Sequence, residues 1–452
     1  MKFGGTSVAD AVAMNRTISI VQGKLNQKPI VVVSACAKVT DSLYDIISLI
    51  ESGRKEDAEK SVGALRNRHL GIVKDITESC ENNDEQALAQ VTEKVNGLCD
   101  RVASFIGAGS LANAEKALVI STGEYLSSTI IAYAMNLRGI NTCWIDARRM
   151  LITSGDNLKA APVIDKMSKR ADEVIKESYI GHQAGITQGF ITCNEDGEPA
   201  LLGRGGSDYS ASLFGMAVDA DRIEIWTDVD GVRTADPRIV EGTKGIRKLS
   251  YEESAELARF GAKVLHPLTL APAQSKNIPL YVLNSMNPGG EGTVVLNSSC
   301  IFDGVKSIAY NGNIRLINIY SLNMIATSGF LATVFEIFSR HKVVIDMIVS
   351  AEASITVTVE ASQDISAAVE EISKIAKVTV DRDKAQISVI GKNIVGLKGV
   401  LRTIFDSVNE NKIYMISQGA SFMNISFVVD RPELSDVLCS IHKGFFGDEN
   451  SN

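Results

Sequence analysis

The chain has 452 residues, too many for a single hydrophobic core, and this length indicates two to four domains. Its formal net charge of −8 and the lack of a basic stripe exclude nucleic acid as the expected partner. No apolar run is long enough to span a membrane, and the first residues lack a signal pattern. We therefore expect a cytoplasmic protein or the mature form of an organellar enzyme.

The seven cysteines are scattered, and none of them occurs in Cys-x-x-Cys spacing. This pattern is typical of reduced thiols in a reducing compartment and argues against a disulfide framework or a zinc site. The five histidines are equally dispersed, so we predict no metal site built from protein ligands.

The chain opens with a lysine, two glycines and two hydroxyl residues within a few positions: Lys2, Gly4, Gly5, Thr6 and Ser7. Glycine has no Cβ, so backbone N–H groups can approach an anion closely, and the lysine adds a mobile positive charge. Such a segment is more often a turn than a phosphate site. A second cluster at 203–208 (GRGGSD) strengthens the phosphate interpretation, although neither cluster matches the P-loop, protein-kinase or dinucleotide motifs.

Helical and strand patterns alternate along the first 295 residues. A helix is predicted from Ser7 onward, a buried strand at 29–35, and a largely helical excursion at 52–118. Further strands are predicted at 117–120, 142–146, 185–191, 222–227 and 278–284. This alternation predicts an α/β domain with a mainly parallel sheet between helices, whose ligand site lies at the carboxyl ends of the strands. Ser34 and the 203–208 cluster fall at such ends.

The pattern changes beyond residue 305. Two successive βαββαβ passes are predicted, each about 70 residues long and ferredoxin-like, although the last strand of the second pass is poorly marked. The predicted domains are therefore 1–295, 305–383 and 384–452, with the two small domains in a ligand-sensing role.

Six motifs in one order resemble the aspartokinase family across essentially the whole chain. They are 2–7 (KFGGTS), 121–124 (STGE), 203–211 (GRGGSDYSA), 226–231 (WTDVDG), 234–238 (TADPR) and 260–267 (FGAKVLHP). The resemblance is to the monofunctional, lysine-sensitive type, with an amino-acid-kinase catalytic domain followed by tandem ACT domains. It implies ATP-dependent phosphorylation of the side-chain carboxylate of L-aspartate, the first step of lysine, threonine and methionine biosynthesis, with Mg²⁺ on the ATP phosphates.

The resemblance also implies residue roles. In the catalytic group, Lys2 stabilises the transferring phosphoryl group with Gly4, Gly5 and Ser7, and Asp208 orients Lys2. The implied aspartate contacts are Ser34, Thr40, Glu124, Arg204, Gly205 and Ser207, and the implied nucleotide contacts are Thr227, Asp228, Asp236, Arg238 and Lys263.

Residues alone leave alternatives open at several of these positions. Glu124 could be a favourable charge at a helix start, Lys263 could be a surface lysine, and the dipeptide at 236–237 could be only a turn. Two departures from the family pattern bear on the site. Only Met1 precedes Lys2, which leaves a truncated start open, and Arg233 stands where a tyrosine is common near the adenine.

The segment 321–352 resembles the effector site of lysine-inhibited aspartokinases. Asp346 would hold the zwitterionic head of the amino acid and Glu352 would meet the lysine ammonium, with threonine as an alternative effector. The implied lining residues are Met324, Thr327, Phe330, Leu331, Ile345 and Ser350. Met324 and Phe330 could equally be core residues. ACT domains usually assemble side by side, which implies a homodimer or homotetramer.

Two other functions remain open from the sequence. One is a kinase of the same fold acting on glutamate or acetylglutamate. The other is a non-catalytic amino-acid sensor, against which the retention of Lys2, Asp208 and Lys263 speaks.

Overall fold

The computed structural model describes residues 1–81, 84–203, 205–260, 265–297, 302–326 and 328–447. Packing divides the chain into two compact units, Met1–Val232 with Val264–Asn297, and Arg233–Lys263 with Ser298–Asn452. The domain boundaries predicted from sequence stay predictions. The packing differs from them in grouping 233–263 with the carboxyl-terminal part of the chain.

The strands of the described residues are β1 (Lys2–Phe3), β2 (Ile30–Val33), β3 (Thr142–Ile145), β4 (Ile152–Ser154), β5 (Ala161–Pro162), β6 (Ala184–Gln188), β7 (Ile191–Asn194), β8 (Pro199–Leu201), β9 (Ile223–Thr227), β10 (Lys248–Ser250), β11 (Leu280–Asn284), β12 (Thr293–Leu296), β13 (Gly304–Tyr320), β14 (Ile345–Ser350), β15 (Ser354–Glu360), β16 (Lys377–Lys392), β17 (Met415–Gln418) and β18 (Asn424–Asp430).

The helices are α1 (Ala11–Gln22), α2 (Val39–Glu51), α3 (Lys55–Glu78), α4 (Glu85–Ala103), α5 (Asn113–Leu137), α6 (Ile164–Ser178), α7 (Gly206–Ala217), α8 (Tyr251–Arg259), α9 (Pro267–Ser275), α10 (Asn323–Ala326), α11 (Phe330–Arg340), α12 (Ser366–Ile372), α13 (Val400–Val408) and α14 (Leu434–Phe446). Within the described ranges, none of these helices combines the length and apolar character that a bilayer crossing requires.

A mainly parallel sheet forms the centre of the first unit. Seven strands that belong to this unit follow the order β12-β11-β9-β1-β2-β6-β3, and every neighbouring pair among them is parallel except β11 with β12. The short strand β1 lies in the middle, where Phe3 is fully buried and stacks on Trp226 with 5.8 Å between ring centroids. The predicted parallel α/β architecture is confirmed, and β1 ends at the sheet edge where ligands bind in such folds.

One predicted strand is wrong. Residues 117–120 lie inside α5, a 25-residue helix that is buried on almost every side. A short continuous apolar run fits a buried helix as well as a buried strand, because neither shows a polar face. The predicted helical excursion before it is confirmed by α3 and α4.

The predicted strand at 185–191 is two strands in different sheets. β6 belongs to the central sheet, whereas β7 belongs to a four-stranded sheet of order β5-β4-β7-β8. The break occurs at Gly189 and at Phe190, which has a φ of 69°. A Cβ on Gly189 would lie 2.7 Å from the Cβ of Ser207, so glycine lets α7 approach this turn closely.

An antiparallel sheet of order β14-β15-β13-β16-β18-β17 forms the centre of the second unit. Helices α11 and α12 pack on β13 and β15, and helices α13 and α14 pack on β16 and β18. The two predicted ferredoxin-like passes are therefore joined in one continuous sheet.

The two modules of this sheet share two long strands. Residues 314–320 of β13 pair with β15 and with the first part of β16, which completes the first βαββαβ pass. Residues 304–311 of the same strand pair with 386–392 of β16. The last strand of the second pass, poorly marked in the sequence, is thus the segment 304–311, which precedes the first pass.

Candidate active site

Lys2 and Asp208 form an ion pair at the end of the central strand. β1 holds Lys2 between β2 and β9, and its Nζ lies 2.6 Å from Oδ1 of Asp208. Asp208 is in the first turn of α7, and the Lys2 side chain is only 11% exposed. A buried ammonium requires such a partner. Because an ammonium has three donors, Lys2 keeps hydrogen-bonding capacity for a second anion.

The glycines beside Lys2 leave space for an anion and allow close chain packing. A Cβ on Gly4 would lie 3.5 Å from Nζ of Lys2, so a side chain there would compete for the space beside the ammonium. A Cβ on Gly5 would lie 2.9 Å from the Ala35 carbonyl oxygen. The Gly5 carbonyl also accepts a hydrogen bond from the Ala37 N–H at 3.0 Å. Local geometry therefore requires glycine at position 5, whereas a Cβ at position 4 would make only ordinary contacts.

Ser7 is buried and is linked to the ends of two neighbouring strands. Its Oγ lies 2.8 Å from Oγ of Ser285, directly after β11. The Ser285 N–H and Oγ both donate to the carbonyl of Thr227, at the end of β9. This chain of hydrogen bonds fixes the first turn after β1. The predicted contact of Ser7 with the phosphoryl group stays a prediction.

Glu124 is a buried carboxylate in the middle of α5. It is 3% exposed, and its Oε2 has no hydrogen-bond partner among the described residues. Burial raises the pKa of this carboxyl to about 8, although the Ala35 backbone N–H opposes the shift. The interpretation of Glu124 as a charge at a helix start is wrong, because α5 begins eleven residues earlier at Asn113. An unpaired buried carboxylate is instead typical of a cation-binding position.

Ser34 and Thr40 lie in the loop that follows β2 and at the start of α2. The Ser34 N–H donates to the Phe3 carbonyl at 3.1 Å, and its carbonyl accepts from Oγ of Ser127 at 2.7 Å. Both side chains are half-buried. The loop therefore connects the end of β1 with α5, the helix that carries Glu124.

The second glycine cluster begins α7. Gly205 has a φ of 72°, and a Cβ there would lie 2.9 Å from the Cβ of His266. This positive φ favours glycine at the position before the helix. Ser207 packs against Gly189 in the first turn, beside Asp208. Arg204, the predicted grip on the substrate α-carboxylate, lies outside the described residues.

The predicted nucleotide residues fall into two groups. Thr227 ends β9, and its Oγ1 lies 3.2 Å from Oδ1 of the exposed Asp228. Asp236 and Arg238 belong to the second unit, where Arg238 Nη2 lies 2.6 Å from Asp236 Oδ2. The Arg238 guanidinium holds the pKa of the Asp236 carboxyl below its usual range. Lys263 lies outside the described residues.

The predicted effector residues lie in the first module of the second unit. Phe330 is buried in its core, and Met324 and Ile345 pack half-buried against that core. Leu331 is 41% exposed. For Phe330 the packing is that of a core residue. Thr327 lies outside the described residues.

The polar effector residues follow the edge strand β14. Asp346 is half-buried, and burial raises the pKa of its carboxyl with a smaller contribution from Glu360. Ser350 ends the strand and Glu352 lies in the turn before β15, both exposed. That turn is closed by the Ala351 N–H donating to the Ser354 carbonyl at 2.8 Å.

Comparison with known proteins identifies the family. Residues 1–284 match the amino acid kinase family, and residues 387–445 match the ACT domain. The chain is 33% identical to lysine-sensitive aspartokinase 3 of Escherichia coli K12, over 98% of each sequence. The chain belongs to the aspartokinase family.

Solved structures agree with this membership. Escherichia coli aspartokinase III in complex with aspartate and ADP superposes with a TM-score of 0.77 at 33% identity, covering 98% of this chain and 99% of that one. The complex of the same enzyme with lysine and aspartate gives 0.80 at 32% identity, covering 98% of both chains. Aspartokinase membership confirms the resemblance inferred from the six motifs, the predicted fold class and the predicted class of ATP-dependent kinase.

Sequence reasoning missed two residues that shape this aspartokinase site. Ser285 bonds Ser7, and Ser127 bonds the backbone of Ser34. Ser285 directly follows a predicted strand, so its place at the carboxyl edge of the sheet was an available signal. Ser127 had no such signal, because its role depends on the approach of α5 to the loop after β2.

Proposed function

We propose that the chain transfers the γ-phosphoryl group of ATP to the side-chain carboxylate of L-aspartate, opening lysine, threonine and methionine biosynthesis. The observation that carries this proposal is the Lys2–Asp208 ion pair at the carboxyl end of the central parallel strand. It places a fixed positive charge beside the space that Gly4 leaves open. The buried Glu124, whose Oε2 has no hydrogen-bond partner among the described residues, supports an amino acid as the acceptor.

The chemistry needs positioning and charge neutralisation more than covalent help. A carboxylate is already a nucleophile at neutral pH, so no general base is required for attack on the γ-phosphorus. Lys2 neutralises negative charge that spreads over the phosphoryl oxygens as the bond to ADP breaks. Asp208 pairs with the ammonium and fixes its direction. The turn at Gly4 and Gly5 leaves open the space through which the phosphoryl group approaches Lys2.

Recognition of aspartate requires groups for its ammonium and its α-carboxylate. Glu124 is the acceptor for the ammonium, because its carboxylate is buried and Oε2 is unpaired in the described structure. Arg204 is assigned to the α-carboxylate, since a guanidinium can hold it with two parallel hydrogen bonds. Ser34, Thr40, Gly205 and Ser207 complete the proposed substrate contacts.

ATP is the phosphoryl donor of this kinase class, and Mg²⁺ is proposed as its counter-ion. Across the described ranges no three metal-binding side chains cluster, and the Asp208 carboxylate is engaged by Lys2. An ion carried on the nucleotide phosphates with water fits this donor set. When bound, Mg²⁺ would neutralise charge on those phosphates. Thr227, Asp228, Asp236, Arg238 and Lys263 are the proposed nucleotide contacts.

The acceptor assay tests this proposal directly. ADP formation should be fast with aspartate and lower with glutamate by roughly 10- to 200-fold in kcat/KM, the range for one additional methylene group in a pocket. A reaction without an acceptor measures background hydrolysis. Equal or better turnover of glutamate or acetylglutamate would sink the aspartate assignment. Binding of lysine without turnover of any acceptor would favour the alternative function, a non-catalytic amino-acid sensor.

We further propose that lysine inhibits the enzyme by binding the first ACT module. Asp346 is the second residue of β14 and is half-buried, and the exposed Glu352 lies two residues beyond the end of this strand. Two carboxylates in one segment favour an amino acid that carries two ammonium groups. Threonine, which lacks the distal ammonium, would leave Glu352 without a partner. This difference makes lysine the preferred effector.

Replacing Glu352 with alanine should raise the lysine concentration for half-inhibition by about 10-fold or more, because a hydrogen bond to a charged partner is lost. The measurement is a lysine dose-response curve at fixed ATP and aspartate. Glu336→Ala, which removes an exposed carboxylate of α11, is the matched control and should leave the curve unchanged. An unaltered curve for Glu352→Ala would remove this residue from the effector site.

We also propose a homodimer or homotetramer assembled through the ACT modules. β14 is an edge strand, and its Ile348 and Val349 side chains are 49% and 39% exposed. An uncovered edge with apolar side chains favours pairing with another strand. Light scattering that gives the mass of one chain would contradict this assembly.

A further inference from the structure

The segment 233–244 lies within the predicted catalytic sequence, yet it packs with the ACT modules. It belongs to the second compact unit. Ala235 and Val240 are 4% and 3% exposed and are part of the core that includes Val437 and Ile441 of α14. Burial of these apolar side chains anchors the segment to the regulatory modules.

Backbone and side-chain hydrogen bonds add to this anchoring. The Ile308 N–H donates to the Thr234 carbonyl, and Oγ of Ser307 donates to the Arg233 carbonyl, both at 2.8 Å. Oγ1 of Thr234 also lies 2.8 Å from Nε2 of His442. The segment is therefore held by two elements of the second module, β13 and α14.

Asp236, Arg238 and Tyr310 form a connected group at the surface of this segment. Asp236 accepts from Nε and Nη2 of Arg238, and the Tyr310 hydroxyl donates to its Oδ2 at 3.2 Å. The Asp236 side chain is 16% exposed, whereas that of Arg238 is 82% exposed. The guanidinium is thus fixed on one edge and free on the other, which suits capture of an anion.

We infer that Tyr310, a residue of the ACT part of the chain, is a positioning residue for nucleotide binding. It acts through Asp236, whose orientation fixes the guanidinium of Arg238. The inference rests on the proposed nucleotide role of Asp236 and Arg238. Through the Tyr310 hydroxyl, the regulatory modules would contribute directly to the affinity for ATP.

The physical basis is preorganisation of a flexible cation. A free arginine side chain loses rotamer freedom when it binds an anion, and this loss weakens binding. Asp236 removes part of that freedom in advance. Without the Tyr310 hydroxyl, the Asp236 carboxylate is held only by the backbone N–H and the guanidinium of Arg238, so the Arg238 fork becomes less ordered. ATP affinity should fall while the chemical step is unaltered.

The test is Tyr310→Phe in the full-length enzyme. The KM for ATP should rise about three- to tenfold, the effect of one net hydrogen bond, while kcat and the KM for aspartate change little. Tyr414→Phe is the matched control. The Tyr414 hydroxyl donates to Oδ2 of Asp430 at 2.8 Å, and Asp430 pairs with Lys384, so the same type of contact is removed elsewhere.

Arg238→Ala separates this inference from the function on which it rests. It should raise the KM for ATP by about 10- to 100-fold, the range for a charged hydrogen bond, and Tyr310→Phe should then add nothing. If Arg238→Ala leaves the KM unchanged, the nucleotide role itself fails. If Arg238→Ala raises it but Tyr310→Phe does not, or if the two effects simply multiply, the positioning role of Tyr310 is overturned. Thermal unfolding of each variant checks that the effect is not a loss of fold.

Discussion

Replacement of Lys2 by alanine is expected to lower kcat by roughly 10²- to 10³-fold or more, the effect of losing one preorganised charge donor in a transition state. The ammonium lies at the end of the central strand, is largely buried and is held 2.6 Å from Asp208. Its free donors are therefore directed by the fold. The measurement is the steady-state rate of ADP formation at saturating ATP and aspartate.

Two comparisons sharpen this prediction. Lys2→Met keeps most of the apolar stem and should lose as much activity as Lys2→Ala, because the charge and not the packing is required. Lys74→Ala, which removes an exposed lysine of α3, should retain full activity. A loss of only a few-fold in both Lys2 variants would exclude Lys2 from stabilising the transferring phosphoryl group.

The Glu124→Gln variant is expected to lose aspartate affinity and to gain stability. Removing one partner of a buried ion pair typically costs about 3–5 kcal/mol, so the KM for aspartate should rise by roughly 10²- to 10⁴-fold. In the free enzyme the carboxyl has no cationic partner among the described residues, so it must take up a proton to be buried, and glutamine removes this cost. Activity should fall while the free energy of unfolding rises.

The stability gain has a defined pH dependence. The pKa of Glu124 in the folded state is about 8, above the ordinary value of 4.5, so the folded state binds this proton more tightly than the unfolded chain. The free energy of unfolding of the native enzyme should fall as pH rises from 4.5 to 8, at most by about 1.4 kcal/mol per pH unit. Glu124→Gln should lack this contribution, whereas the exposed control Glu59→Gln should keep it.

Aspartate binding should show the opposite trend. Since the ammonium of the substrate pairs with the ionised carboxylate, the KM for aspartate should decrease as pH rises from 6.5 toward 8.5, with a limit of about tenfold per unit below the pKa. A flat KM profile with an unchanged KM in Glu124→Gln would show that Glu124 does not bind the substrate. Denaturant unfolding across the same pH range provides the independent stability measurement.

The sequence predicts the parts of the fold that depend on local patterns. The strand at Ile30–Val33 and helix α1 follow from β-branched runs and from apolar spacing. The run at 117–120 is mispredicted as a strand because apolar periodicity does not distinguish a buried helix from a buried strand. The burial of α5 on nearly all sides is a property of the assembled unit.

Residue types and motif order predicted the ion pair but not its surroundings. The family resemblance pairs Lys2 with Asp208, and in the structure Nζ of Lys2 lies 2.6 Å from Oδ1 of Asp208. Ser127 and Tyr310 carried no local signal, because each acts on a segment distant in sequence. Long-range packing decides these contacts. Arg204 and Lys263 lie outside the described residues, so their predicted roles stay predictions.

The shared strand β13 sets the order in which the two ACT modules can complete their folding during translation. Residues 304–311 are translated before the first ACT module, yet their partners at 386–392 and the helix α14 follow it. The first module can fold during translation, while 304–311 waits with an unpaired edge. Transfer of the regulatory modules to another enzyme should therefore succeed only when both halves of β13 are transferred. A fragment that begins near residue 384 would lack the segment 304–311, which pairs with 386–392 of β16.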